Sequence, residues 1–259
     1  LSAFVLGEDT AGSIRGPAAF CGLAGIRPSF GRVSRHGVFG ASWSMDTVGP
    51  LSRYVKDSAL VLSVIAGYDP NDPYSANIPV PEYASLITTD IKNLKVGLIK
   101  ERMDPSWGEA DVFDRFNTAV NGLRGLGVDV TELSLPNIDS SAVASATLIN
   151  IDASYLNQDL IRTQLSEFDY NNQIRLLAGS ILPANVHKKI NSIRQIVRSE
   201  ILAALEEVDV LILPTSPIVA PKIPVKKGMD SVKEMVDSFG GRRQFTSPFN
   251  LANVPALSV

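Results

Sequence analysis

Between residues 94 and 133 the spacing of apolar positions changes twice. LKVGLIK (94–100) alternates, with Leu94, Val96 and Leu98 on one face, and predicts a strand. Val112, Phe113, Phe116, Val120 and Leu123 then recur at helical spacing, and Gly127 precedes a second strand-like run, VDVTELSL. That order is a β-α-β unit. Helical patterns follow over roughly 140–157 and 170–182. A longer helix comes next, whose Val186, Ile190, Ile193, Val197, Ile201 and Leu205 form one apolar stripe suited to core packing. VDVLILP is apolar nearly throughout and stops at Pro214, as expected for a buried strand in a sheet covered on both faces. The pattern predicts an α/β fold with a sheet core and helices on both sides.

The N-terminal part reads differently. Nine of the nineteen glycines lie in the first fifty residues, among short apolar pieces, which predicts tight loops and brief strands of the kind that carry chemistry. VKDSALVLSVIAG predicts a short helix ending at Gly67, and YDPNDPYSANIPVP a proline-bearing surface connection rather than a domain break. Residues 214–244 carry Pro214, Pro217, Pro221 and Pro224 and predict a long binding rim with a short helix. One domain spanning residues 1–259 is expected, without internal repeats. Because the chain starts at Leu1 and ends within VPALSV, an unfinished strand, it is expected to be a fragment, incomplete at both ends.

Composition narrows the function classes. With 45% hydrophobic and 20% charged residues the chain has an ordinary globular make-up, not that of a disordered or fibrous protein. A net charge of -3 offers no general attraction for nucleic-acid phosphates or anionic lipid, so neither direct nucleic-acid contact nor a membrane is expected. No apolar run has the length of a membrane-spanning helix, and no signal peptide is recognisable. Cys21 is the sole cysteine and there are two histidines, which predicts no metal site and a reducing cytoplasm as the compartment. His187, Lys188, Lys189, Arg194 and Arg198 read as a solvated polar face, since Glu200, Glu206 and Glu207 follow and no aromatics interleave. His36, in GRVSRHG, reads as a turn residue. A G-x-S-x-G elbow, a Walker loop and a G-x-G-x-x-G fingerprint are absent.

The stretch DTAGSIRGPAAFCG, residues 9–22, has two readings. Ser13 is either a turn serine or a nucleophile. Thr10, Ala11 and Gly12 leave little side chain over the backbone, so their N–H groups can gather in one space, as an oxyanion site requires. Pro17 at the first helical position and Gly22 at the end predict a short helix close to Ser13, whose N-terminus would favour developing negative charge.

Read as a whole, GEDTAGSIRGPAAFCGLAGIRPSFGRVSRHGVFGASWSMDTVGPLSR resembles the second half of the amidase signature and the block after it. The match runs through G-x-D-T-[GA]-G-S-I-R-x-P-A, the C-G-x-x-G-x-[RK]-P block and S-x-D-x-x-G-P, and extends more thinly to DVLILPTSP and FTSPFNLANVPALSV. The resemblance implies the amidase-signature fold, a mixed sheet wrapped by helices, and a Ser-cisSer-Lys hydrolase acting on a carboxamide without a cofactor. Ser13 falls on the family's nucleophile, and the backbone amides of Thr10, Ala11, Gly12 and Ser13 on its oxyanion hole. The lysine and cis-serine lie upstream in the family, and none of the twelve residues before Ser13 is lysine, so the chain as given lacks its own base. Position 11 is alanine where many relatives have glycine.

One branch of the family, the A subunit of the glutamyl-tRNA amidotransferase, releases ammonia from glutamine. Its glutamine-binding arginine would fall near Arg175 in NNQIRLLAGS, a position that also suits a helix-surface arginine. ILPANVHKK stands where that branch usually has a tyrosine-rich segment, so a stand-alone amidase with a small amide substrate is the first expectation. A homodimer is compatible with that reading; a component of an amidotransferase would bind partner subunits. A non-catalytic assembly piece is the reading of a different class.

Overall fold

The computed structural model describes residues 2–88, 90–223 and 243–259. Its strands fall into two sheets. In the first, β1 (Phe4–Glu8), β2 (Ala24–Arg27), β3 (Val48–Ser52) and β7 (Ala256–Ser258) pair antiparallel in the order β1-β3-β2-β7. Glu8 lies opposite Val48, and Ile26 opposite Leu257. The second is a parallel sheet in which β4 (Lys95–Ile99) lies between β5 (Asp129–Leu133) and β6 (Val210–Ile212), with Val96 facing both Val130 and Val210.

The β-α-β unit forms as its periodicity predicts, with α3 (Ala110–Gly125) joining β4 to β5 and burying Phe113 and Val120. Residues 96–99 of β4 are buried on both faces, which suits a central parallel strand. The expectation for β6 needs correction. Apolar though it is, β6 is an edge strand among the described residues, and Val210 is 39% exposed.

The helical patterns become α2 (Val55–Ile65), α4 (Ser141–Leu156), α6 (Tyr170–Ile181) and α7 (Ala184–Glu207), with a further short helix, α5 (Gln158–Gln164), after α4. α4 is the central helix. Ala142, Ala144, Ser145, Leu148, Ile149 and Asp152 are buried around it, and small side chains let α6 approach until a Cβ on Gly179 would lie 1.9 Å from the Asn150 carbonyl oxygen. The stripe of α7 packs into the same core as Ile99, Leu148 and Leu251. No helix among the described residues is long and apolar enough to cross a membrane.

α8 (Arg243–Leu251) follows the long connection and is almost wholly buried. The short helix expected within 214–244 falls outside the described residues over 224–242. Arg194 and Arg198 are not the solvated face that their spacing suggests. Arg194 donates to the carbonyls of Leu251 (2.9 Å) and Ser44 (2.9 Å), and Arg198 to that of Ala252. Both therefore satisfy carbonyls at the end of α8, where a cation also complements the helix dipole.

Candidate active site

The loop carrying Ser13 runs from the end of β1 into α1 (Arg15–Cys21) and is folded around one carboxylate. Asp9 is fully buried. Its Oδ1 accepts from the Gly12 N–H and from Asn250 Nδ2, both at 2.6 Å. Its Oδ2 accepts from the Ile14 N–H at 3.3 Å and from Arg15 Nε at 3.0 Å. Arg15 is buried too, and continues the network to the Thr246 carbonyl (3.0 Å) and the Asn250 side chain. Burial alone would raise the Asp9 carboxyl, but the Arg15 charge and these hydrogen bonds outweigh it and hold Asp9 well below the usual carboxylate range. A charged pair thus fixes the loop at a point where backbone hydrogen bonds alone would not.

Below the loop lies Arg27, also fully buried. Its Nη1 donates to the Asp9 carbonyl (2.7 Å), the Met45 carbonyl (3.0 Å) and Thr47 Oγ1 (2.6 Å). Desolvation lowers Arg27 to about 9, partly offset by the Asp9 charge.

Gly12 has a φ of +116°, which an L side chain rarely adopts, and a Cβ there would lie 2.4 Å from Thr246 Oγ1. The same hydroxyl donates to the Ala11 carbonyl at 2.7 Å. α8 and the loop are therefore in contact at a position only glycine fits. Gly12→Ala in the complete protein is expected to displace the loop and lower kcat/KM about 100-fold, the effect that a misplacement near 1 Å has on a positioned group; steady-state kinetics check this.

Gly12 also departs from expectation. Its N–H is engaged by Asp9, whereas the N–H groups of Thr10, Ala11 and Ser13 meet no acceptor among the described residues. The start of α1 differs as well. Ile14 is its N-cap, which places Pro17 at the third helical position, still within the first turn where proline is tolerated; Gly22 ends the helix with φ 63° as expected.

Ser13 is exposed and opens onto a cavity of about 510 Å³. Thr10, Ala11, Gly12, Ser13 and Arg175 all line this cavity, so residues far apart in the chain meet there. Arg175 Nε donates to Asn150 Oδ1 at 3.2 Å, which ties it to α4. DVLILPTSP contributes Thr215 and Ser216, and FTSPFN contributes Thr246. Among the described lining residues there is no lysine, histidine or carboxylate. His36 is exposed, with its N–H bonded to Ser34 Oγ, and does not line the cavity. No group of three or more potential metal ligands occurs among the described residues.

Sequence reasoning gives no role to Asp9, Arg15, Thr246, Asn250 or Arg243. Asp9 and Arg15 stand inside the motif G-x-D-T-[GA]-G-S-I-R, and the signal that could have found them is their charge: an acid and a base in a run otherwise small and apolar.

Beside the loop, the half-buried Glu8 and the buried Asp46 form a carboxyl pair. Asp46 Oδ2 accepts from the N–H groups of Ala41 (2.8 Å) and Ser42 (2.7 Å), while Asp46 Oδ1 and Glu8 Oε1 have no hydrogen-bond partner among the described residues. Burial first, then the Asp46 charge, pushes Glu8 up to about 8. Between about pH 4.5 and 8 the folded state then keeps a proton that the unfolded state has released. Stability is expected to fall as pH rises through that window, and Glu8→Gln to flatten the fall; Tm measured against pH tests this.

The Amidase family model matches residues 1–259. The A subunit of the glutamyl-tRNA(Gln) amidotransferase of Lysinibacillus sphaericus is 36% identical over 280 residues, covering 99% of this chain and 56% of that protein. Its counterpart in Brachyspira hyodysenteriae is 33% identical, with 98% and 57% covered. The crystal structure of the corresponding Thermotoga maritima protein superposes with a TM-score of 0.81 at 29% identity, over 99% of this chain and 55% of that one. An allophanate hydrolase from Kluyveromyces lactis gives a TM-score of 0.83 at 26% identity, over 99% and 41%. The chain thus spans a little over half the length of the curated relatives it matches. With its α/β architecture and a family match running from end to end, the chain belongs to the amidase family.

Proposed function

We propose that this chain is the nucleophile-bearing portion of an amidase that cleaves a carboxamide C–N bond through an acyl-enzyme on Ser13. The observation that carries the reading is the exposed Ser13 hydroxyl, set at a cavity of about 510 Å³ on a loop whose backbone is fixed by the buried Asp9–Arg15 pair. Ser13 Oγ attacks the amide carbonyl carbon, and the negative charge that develops on the carbonyl oxygen is received by N–H groups of Thr10, Ala11 and Ser13. Gly12 serves the same site through its φ and its missing side chain. The C–N bond then breaks, ammonia or an amine leaves with a proton, and water releases the acid.

An alcohol needs a base. In the mechanism that the family resemblance implies, this is a neutral lysine acting through a cis-serine, both upstream of the nucleophile. Burial would favour the neutral form of such a lysine. Arg175 is the proposed substrate-binding residue, since it is held at the cavity by Asn150. The reading is tested by treating the complete protein with a fluorophosphonate and mapping the adduct. Modification at Ser13 is expected; a folded protein that stays unmodified would overturn it.

A second reading rests on the relatives named above: the complete protein is the A component of an amidotransferase, bound to partner subunits. Copurification of partners and glutamine-dependent ammonia release would favour it.

A further inference from the structure

Thr246 is buried in the first turn of α8, against the loop that carries Ser13, and both of its polar ends are engaged. Its carbonyl accepts from Arg15 Nη1 at 3.0 Å, and its hydroxyl donates to the Ala11 carbonyl at 2.7 Å. The turn on which it stands is anchored from the other side by Arg102, which follows β4 and is fully buried. Arg102 Nε donates to the Gln244 carbonyl at 3.0 Å, and its guanidinium lies 4.9 Å from the Trp107 ring centre and 5.8 Å from that of Phe245. Thr246 therefore reaches the loop from a backbone held at two points. The carbonyl it grips belongs to the same peptide unit as the Gly12 N–H, which donates to Asp9 Oδ1 at 2.6 Å. A trans peptide is planar, with its C=O and N–H opposed, so a partner at each end fixes the orientation of the whole unit. Gly12, with φ +116° and no side chain, offers little steric resistance to rotation of that unit. The two hydrogen bonds supply the resistance instead, since a flipped unit would turn the Ala11 carbonyl towards the buried Asp9 carboxylate.

We propose that Thr246 is a positioning residue for the chemistry at Ser13: its hydroxyl, through the Ala11 carbonyl, locks the Ala11–Gly12 peptide. The N–H groups of Ala11 and Ser13 belong to the peptide units on either side and take their directions from it. Thr246 has one hydroxyl proton, and Ala11 takes it, so the residue acts through the loop and not as a donor to substrate. The inference rests on the reading of Ser13 as the nucleophile, and deepens that reading by naming what keeps the oxyanion donors aimed. Aim matters most where charge develops, so loss of the lock belongs to the chemical step and not to binding.

The test uses the complete protein and the rate at which a fluorophosphonate labels Ser13. In that reaction Ser13 Oγ forms a bond to phosphorus, the P–F bond breaks, fluoride leaves, and charge on the phosphoryl oxygen draws on the same N–H groups. Thr246→Val keeps the shape of the side chain and removes its donor. The expected result is a limiting labelling rate about 10- to 100-fold lower, with the half-saturating concentration within about threefold of wild type. Thr246→Ser, which restores the hydroxyl, should recover most of the loss. A merely structural role would lower the fraction of active protein and leave the rate per active site unmoved. Thr246→Ala, which adds no atoms, takes the place of the valine variant should that one not fold. A donor-less variant labelled at the wild-type rate, or a serine variant as slow as the donor-less one, overturns the inference while leaving the nucleophile intact. A folded wild-type protein that stays unlabelled overturns the nucleophile instead, and hydrogen exchange at the Gly12 N–H then decides about Thr246. Exchange that is faster in Thr246→Val and returns to the wild-type rate in Thr246→Ser sustains the locked peptide; equal exchange in all three overturns it.

Discussion

Replacing Ser13 by alanine in the complete protein is expected to lower kcat by roughly six orders of magnitude, the scale seen when a serine hydrolase loses its nucleophile. Stability should hardly move. The Ser13 hydroxyl is exposed and has no hydrogen-bond partner among the described residues, so its removal should stay within about 0.5 kcal/mol. Unchanged stability makes the test informative, because a serine kept only for the turn would leave kcat nearly unchanged as well. Single-turnover kinetics and a thermal melt on the same preparation provide both numbers. A loss of less than about tenfold, with the fold intact, would take Ser13 out of the chemistry and favour the non-catalytic assembly reading.

Asp9→Asn should do the opposite, acting on stability first. Asp9 and Arg15 form a buried pair at 3.0 Å with side chains 0% and 3% exposed. Removing one member leaves a buried charge without its counterion, which costs about 3–5 kcal/mol. In a chain of this size that corresponds to a fall in Tm of roughly 10 °C. The substituted amide would also present an N–H₂ group where Asp9 now accepts from Gly12, Ile14, Arg15 and Asn250, so the loop around Ser13 should loosen and activity fall with stability. The double variant Asp9→Asn/Arg15→Met should recover part of the stability lost by Asp9→Asn alone, because it no longer buries an unpaired guanidinium. Strict additivity would show that the pair is not coupled. The pH dependence has a definite sign. Because the folded-state value of Asp9 is depressed, its contribution is fully present above the ordinary carboxylate value near 4 and is lost only in strong acid. Glu8, raised to about 8, works in the other direction across the neutral range.

These two predictions depend on different levels of organisation. Ser13, with small residues before it, is recognisable as a candidate nucleophile from local composition, and the amidase motif makes the assignment specific. Composition casts Gly12 as one more oxyanion donor. Its N–H is instead drawn inwards by Asp9, a contact three residues back along the chain that depends on burial. Arg194 and Arg198 look solvent-facing in the sequence because glutamates follow them on the same helix and no aromatics interleave. What they meet, the end of α8, lies more than fifty residues later in the chain.

Local sequence alone accounts for the periodic parts of this protein, the β-α-β unit and the stripe of α7, and for Ser13 as a candidate nucleophile. These are encoded in a repeat or a short motif and hold whatever surrounds them. The partners of isolated charges and the walls of the cavity come from packing. Packing makes β6 an edge strand despite its apolar sequence, sets Asn250 and Arg15 on Asp9, and brings Arg175 and Arg243 into one space with Ser13. A single arginine has no period, and its meaning depends on the dielectric around it and on the nearest opposite or like charge. Both are set only when distant segments pack together.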